Sequence, residues 1–136
     1  MKKDSKLVHA SGMRKRAVAR ATVHPGKGLV RINSMRLSSY GSEMIRQRIS
    51  EPLLLAPDVA KEIDVDVTVQ GGGVTTQADA VRLALGRALN IYSKDKLKQT
   101  FLDYDRTLLV ADIRVKERSK PNCHGKARAK RQKSYR

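Results

Sequence analysis

The stretch Ile63–Tyr92, IDVDVTVQGGGVTTQADAVRLALGRALNIY, contains the two clearest secondary-structure patterns in the chain. Apolar and polar residues alternate over Ile63–Gln70, which predicts a strand with one buried and one wet face. Gly71–Gly73 then form a turn, and Val74–Tyr92 has a helical period, with Thr76 and Asp79 fitting a capping box. Arg82 and Arg87 fall off the apolar stripe of this helix, which consists of Ala78, Val81, Leu85, Ala88, Leu89 and Tyr92.

A second alternating pattern lies in residues 13–33, MRKRAVARATVHPGKGLVRIN. Its inward positions are mostly alanine, which allows a helix or another strand to approach closely. The turn His24–Gly28 and the alternation around Val30 and Ile32 predict that this segment forms a hairpin. An earlier strand over Leu7–Ala10 is expected to end at Ser11-Gly12.

The remaining helices are predicted from shorter patterns. Ser38–Ser50 suits a helix, and Ser50-Glu51-Pro52 favours the start of a second short helix that Pro57 stops. Ser93 is positioned to cap a last helix from Lys94 to about Leu102.

The charge is concentrated at both ends of the chain. The 136 residues contain 29 Lys and Arg against 13 Asp and Glu, a net charge of +16. Residues 1–36 and residues 114–136 carry +9 each, whereas residues 37–113 carry −2. This layout indicates a polyanionic partner, with nucleic acid favoured over an anionic membrane surface.

The last 23 residues are too basic and too poor in apolar side chains to fold alone. We therefore divide the chain into a globular domain, residues 1–113, and an extended basic arm, residues 114–136. An extended arm of this length reaches about 75 Å.

The sequence favours a non-enzyme without cofactors or metals. Cys123 and His124 are neighbours but lack the spacing of a zinc site. Asp64 and Asp66 share the wet strand face, where a soluble surface is a simpler interpretation than metal binding or acid–base chemistry. No apolar run reaches the roughly 20 residues of a membrane span, and residues 1–13 do not form a signal peptide. A reduced cytoplasmic setting fits the single cysteine.

The Gly71–Gly73 turn before a helix allows two interpretations. Glycines at a helix N-terminus can cradle a phosphate, but the spacing of nucleotide-binding motifs is missing. A tight backbone turn, of a kind that an RNA backbone can lie against, is the better interpretation.

Four stretches together resemble the ribosomal protein S nine family of the small subunit. They are SGMRKRAVARATVHPGKGLVRIN, EPLLLA with its following strand, GGGVTTQADAVRLALGRAL and the terminal RAKRQKSYR. The terminal KSYR resembles the archaeal and cytosolic eukaryotic branch. Thr76 and the stretch Asn122–Lys126 depart from the family pattern.

The resemblance implies an α+β fold: a two-layer α/β sandwich, with a mixed sheet covered by helices on one face, similar to domain two of ribosomal protein S five. It implies a structural constituent of the small ribosomal subunit in the cytoplasm, bound to rRNA and neighbouring proteins of the subunit head, with no small-molecule substrate. Its tail extends to the P-site tRNA, where it places Lys133, Ser134, Tyr135 and Arg136.

The residues expected to bind rRNA combine the basic N-terminal segment, the glycine turn and the arm. They are Arg14, Lys15, Arg16, Arg20, Lys27, Arg31, Gly71, Gly72, Gly73, Arg114, Lys116, Arg118, Lys120, Lys126, Arg128, Lys130 and Arg131. Two alternatives stay open: a general nucleic-acid architectural protein, which would bind duplex DNA as well as rRNA, and a nucleotide-dependent enzyme using the glycine turn.

Overall fold

The computed structural model describes residues 7–123 and 125–128. These residues form a mixed five-stranded sheet with helices, an α+β architecture. The strands lie in the order β1-β2-β5-β3-β4. The strands are β1 (Val8–Arg14), β2 (Ala17–Pro25), β3 (Val30–Ile32), β4 (Met35–Arg36) and β5 (Ile63–Gln70), and the α-helices are α1 (Glu43–Leu55), α2 (Pro57–Lys61), α3 (Val74–Tyr92) and α4 (Lys98–Tyr104).

The predicted hairpin between residues 16–23 and 29–32 is wrong, because β5 lies between β2 and β3. β5 pairs antiparallel with β2 and parallel with β3. Beyond the end of β3, the Asn33 side chain extends this pairing, since its Nδ2 donates to Val69 O at 3.1 Å and its Oδ1 accepts from Val69 N–H at 2.9 Å. Inserting β5 satisfies the backbone groups of three strands at once, which a hairpin of β2 and β3 alone does not.

The true hairpin joins β1 to β2 through a two-residue turn, Lys15-Arg16. The first strand does not end at Ser11-Gly12 as predicted but continues to Arg14. Gly12 instead permits close packing on α3, because a Cβ there would lie 2.3 Å from the carbonyl oxygen of Ala80.

The apolar faces predicted for β2 and β5 form the core. Ala17, Ala19, Ala21 and Val23 are buried, as are the four alternating apolar residues of β5. α3 packs across β1 and β2, and α1 packs on α3. The small alanine side chains therefore allow a helix to approach the sheet, as the sequence indicated.

The helix ends differ from prediction. α1 runs unbroken through Pro52, and the Ser50 hydroxyl donates to the carbonyl of Arg46 instead of capping a second helix. At α3, Thr76 accepts the N–H of Gly73 at 2.9 Å, and Asp79 takes no part in the cap. Ser93 closes the end of α3, and the last α-helix starts at Lys98 because Lys94 and Asp95 adopt positive φ.

A buried arginine joins three parts of the helical layer. Arg82 on α3 is only 7% exposed and donates to Glu51 on α1, and to Asp105 and Thr107 at the 3-10 helix Arg106–Leu108. Burial opposes the charge of Arg82, but these hydrogen bonds raise its pKa. Burial likewise raises the pKa of Asp105, yet hydrogen bonds from Thr107 and Arg82 outweigh it and hold that pKa below its usual value.

We expect this cluster to make folding stability sensitive to acid. Because the pKa of folded Asp105 is lowered, its contribution is present above about pH 4, the usual carboxyl range, and is lost as pH falls through the lower folded value. Urea unfolding from pH 7 down to pH 2 should show this loss, and the decline should be shallower in Asp105→Asn.

The double substitution Glu51→Gln with Asp105→Asn should cost about 3–5 kcal/mol at pH 7, because it leaves Arg82 buried without a counter-charge. Glu62→Gln with Asp103→Asn removes the same charge at two exposed positions outside the cluster and is the matched control. Equal stability of the double variant and the control would contradict the assigned role of the cluster.

Candidate nucleic-acid interface

Two turns meet at one end of the sheet. The Lys15-Arg16 turn of the β1–β2 hairpin lies directly on the glycine turn that follows β5. Gly71 has φ of +75°, and a Cβ on it would lie 2.5 Å from the carbonyl oxygen of Arg16. Lys15 itself has φ of +54°, which is a strained backbone conformation for a residue other than glycine. The contact explains why glycine is needed at residue 71.

A cation-lined cleft lies beside these turns. It is lined by Lys15, Arg16, Gly72, Gly73, Thr76, Arg114, Val115 and Lys116, which include four cations and no acidic residue. The N–H groups at the start of α3 add partial positive charge, and no acidic residue in the first turn of α3 offsets it. Such a surface attracts the phosphates of a nucleic-acid backbone.

The other predicted body cations lie elsewhere. Arg14 is paired with carboxylates rather than free. Arg20 and Arg31 lie on strand positions whose exposed side chains face away from the helices. Lys27 lies at the opposite end of the sheet, since β5 runs from beside Pro25 to beside Val18. At about 3.3 Å per residue, the two ends of β5 lie about 25 Å apart. The predicted body cations are therefore distributed over two ends and one face of the sheet.

Arg14 belongs to a row of alternating charges that joins the body to the tail. Its Nη1 donates to Asp112, and its Nε lies 3.8 Å from Asp79. Asp79 also accepts from Arg48 on α1 at 2.5 Å, and Asp112 binds Arg114 through the backbone and the guanidinium. Hydrogen bonds from Arg114 are the main reason that the pKa of Asp112 is far below its usual range.

Sequence reasoning missed this row. From the sequence, no role was predicted for Asp112, near the start of the arm, and Asp79 was assigned to a helix cap. An acidic residue immediately before a long basic segment was the available signal. The partner of Asp112, Arg14, is 98 positions away, and nothing local in the sequence specifies it.

The described part of the tail is not a straight arm. Residues 114–120 have no regular secondary structure, and the chain turns at Pro121-Asn122. Lys120 N–H donates to Lys126 O at 2.8 Å, and Arg128 binds Glu117 through two hydrogen bonds. Arg118, Lys120 and Lys126 are exposed. Lys130, Arg131 and Lys133–Arg136 lie outside the described residues.

Asp64 has a structural role that the sequence did not indicate. Its Oδ1 accepts the N–H groups of Lys27 and Leu29, both at 2.8 Å, which shapes the β2–β3 loop. These hydrogen bonds lower the pKa of Asp64. Within the described ranges, no group of three or more His, Cys, Asp or Glu side chains is placed to hold a metal ion. Over the same ranges, no helix is long and apolar enough to cross a membrane.

The fold and the cleft together define a basic nucleic-acid-associated protein with a cation-rich tail. Residues 12–136 match the sequence model of the family described as ribosomal protein S9/S16. The chain therefore belongs to the ribosomal protein S9/S16 family, and its role is structural and RNA-binding rather than enzymatic.

Curated relatives are similar along almost their whole length. The chain is 48% identical to "Small ribosomal subunit protein uS9" of Methanococcus maripaludis, covering 96% of this chain and 99% of that protein. Proteins of the same description in Thermoplasma acidophilum and Thermoplasma volcanium are 51% and 52% identical, each covered over 98% of its length.

We expect Gly71→Ala to destabilise the protein by about 1–3 kcal/mol, because a Cβ at positive φ would also meet the Arg16 carbonyl. Urea unfolding measures the loss. Gly73→Ala is the matched control, because Gly73 has φ of −103° and a Cβ there meets nothing within 4 Å. It should cost less than about 1 kcal/mol. Equal losses in both variants would show that the contact between the two turns is unimportant.

Proposed function

We propose that this protein is a structural constituent of the small ribosomal subunit, that its body binds rRNA of the subunit head and that its tail extends to the P-site tRNA. The assignment to the small subunit is supported by the relatives, which are small ribosomal subunit proteins. The cytoplasm is the compartment that this role implies, and neighbouring head proteins are the expected protein partners. A body similar to domain two of ribosomal protein S five, with the boundary between body and arm at residues 113 and 114, completes the proposal.

The observation that carries the rRNA contact is the cation-lined cleft. Lys15 and Arg16 approach from the β1–β2 turn, and Arg114 and Lys116 approach from the tail. Arginine forks bind phosphate oxygens in pairs, whereas lysines act as compact point charges. The open space beside Gly73 leaves the start of α3 accessible to a phosphate. An RNA backbone following this cleft would continue along the basic tail.

The remaining predicted residues contribute around this cleft. Arg20, Arg31 and Lys27 offer further contacts on the open sheet face and at its far end. Arg118, Lys120, Lys126, Arg128, Lys130 and Arg131 follow along the tail. For Arg128 to reach RNA, a phosphate must replace Glu117 as its partner, which a doubly accepting phosphate can do.

The test is a salt titration of binding to head rRNA and to duplex DNA. With about ten tail cations on phosphate, the logarithm of affinity should fall with the logarithm of salt with a slope of roughly −7. A chain ending at Ile113 should keep the preference for rRNA with a shallower slope. Equal affinity for both nucleic acids, lost wholly with the tail, would instead favour a general architectural protein.

The same titration tests the contribution of the cleft separately. Lys15→Gln with Arg16→Gln should flatten the slope on rRNA by about 1.4, because two phosphate contacts are lost. Lys96→Gln with Lys98→Gln removes the same charge from exposed positions outside the cleft. This control should leave the slope on the specific site almost unchanged, and an equal effect of the two variants would argue against the cleft.

The tail end has a separate readout. Deleting Lys133–Arg136 should spare incorporation into the small subunit and weaken retention of P-site tRNA, because the contacts with the body remain while the terminal cations are lost. Filter binding of tRNA to purified subunits measures retention, with subunits containing the intact chain as the reference. Subunits that lack the truncated protein altogether would contradict this prediction.

A further inference from the structure

Asp112 is the most heavily engaged carboxylate at the start of the tail. It accepts from Arg14 Nη1, from the backbone N–H of Arg114 at 2.9 Å and from Arg114 Nη2 at 3.0 Å. The side chains of Asp112 and Arg14 are only 20% and 28% exposed. The carboxylate therefore lies between two guanidinium groups, one from β1 and one from the tail.

Apolar packing does not fix the chain at this point. Ile113 is 91% exposed and Val115 is 48% exposed, although both follow directly on the folded body. Within the described residues, no backbone–backbone hydrogen bond joins residues 113–116 to the body. The charged contacts of Asp112 are thus the interaction that directs the first tail residues.

The direction matters because those tail residues form one wall of the cation-lined cleft. Arg114, Val115 and Lys116 lie opposite the Lys15-Arg16 turn and Gly72-Gly73. Arg14 is itself held by Asp79, which also binds Arg48. This row of charges thereby connects the tail wall to β1, α3 and α1.

The chemistry of this carboxylate resembles that of the expected ligand. A guanidinium fork binds a carboxylate and a phosphate with the same paired hydrogen bonds. Asp112 accepts from one nitrogen of Arg14, whose side chain is only 28% exposed, and from Arg114, whose side chain is 84% exposed. Arg14 is therefore engaged by carboxylates, whereas Arg114 stays accessible to a phosphate in the cleft. An exposed ion pair adds little to stability, so its main consequence lies in where the tail goes and which cations stay free.

We propose that Asp112 is a positioning residue that takes the place of a phosphate at Arg14, holds Arg114 in the wall of the cleft and withholds the Arg14 guanidinium from nonspecific polyanions. This inference rests on the proposed function of the cleft. It adds a specificity device: RNA that fits the cleft meets an assembled wall, whereas any other polyanion meets an Arg14 that is already paired.

The first experiment needs no nucleic acid. Backbone ¹⁵N relaxation of the full chain should give order parameters near 0.8 for Arg114–Lys116, and Asp112→Asn should lower them below about 0.6. Arg14→Gln should loosen the same residues in part, because Asp112 then retains only Arg114. Asp112→Glu keeps the charge and should restore much of the order. Unchanged order parameters in Asp112→Asn would overturn the positioning role.

The second experiment measures the withheld charge of Arg14. On duplex DNA, Asp112→Asn should steepen the salt dependence by up to about 0.9 and tighten binding several-fold at low salt, because the Arg14 guanidinium becomes available. Arg14→Gln should not tighten binding, so general loosening of the tail is distinguished from release of cations. Asp103→Asn is the charge-matched control at an exposed position on α4. Unchanged or weaker DNA binding in Asp112→Asn would overturn the withholding role.

The two proposals can fail separately. Loss of any preference for head rRNA in the intact chain would refute the proposed function, whereas the order parameters would still test Asp112. Urea midpoints of all variants verify that they are folded. If Asp112→Asn did not fold, Arg14→Gln and Asp112→Glu would still decide whether this contact orders Arg114–Lys116.

Discussion

The buried charge of Arg82 constrains how the helical layer can be arranged. A guanidinium that is almost inaccessible to water must keep its partners, which come from α1 and from the segment after α4. The same segment is pressed on α3, because a Cβ on Gly86 would lie 2.5 Å from the Leu108 carbonyl oxygen. Together these contacts hold the segment up to Leu108, four residues before Asp112, and so determine where the chain leaves the body.

The carboxylates of the body explain how some of its basic surfaces stay free of acidic groups. Glu51 and Asp105 bind Arg82, and Asp79 and Asp112 bind other arginines. Asp64 accepts hydrogen bonds from backbone N–H groups. Acidic groups are thus engaged inside the fold. Lys15, Arg16 and Lys116 meanwhile line a cleft that contains no acidic residue. The location of the charges, more than their sum, defines the interface.

Much of the candidate site could be predicted from the sequence. Lys15, Arg16 and the glycine turn were identified from composition and turn chemistry, and the structure brings them together with Arg114 and Lys116. Arg14 was assigned to the same group, but ion pairs engage it. The sequence does not reveal this pairing, because a cation looks the same in sequence whether its partner is solvent, phosphate or a carboxylate 98 positions away.

The sequence by itself determined the elements whose cause is local. Period-two alternation specified the buried faces of β2 and β5, helical spacing specified α3, and composition specified the basic tail, because each depends on residues a few positions apart. Only the tertiary structure decided that β5 separates β2 from β3, that Arg82 is buried and that Asp112 holds the start of the tail. Strand partners and ion pairs join residues distant in sequence, and their free energy depends on burial that exists only once the chain has folded.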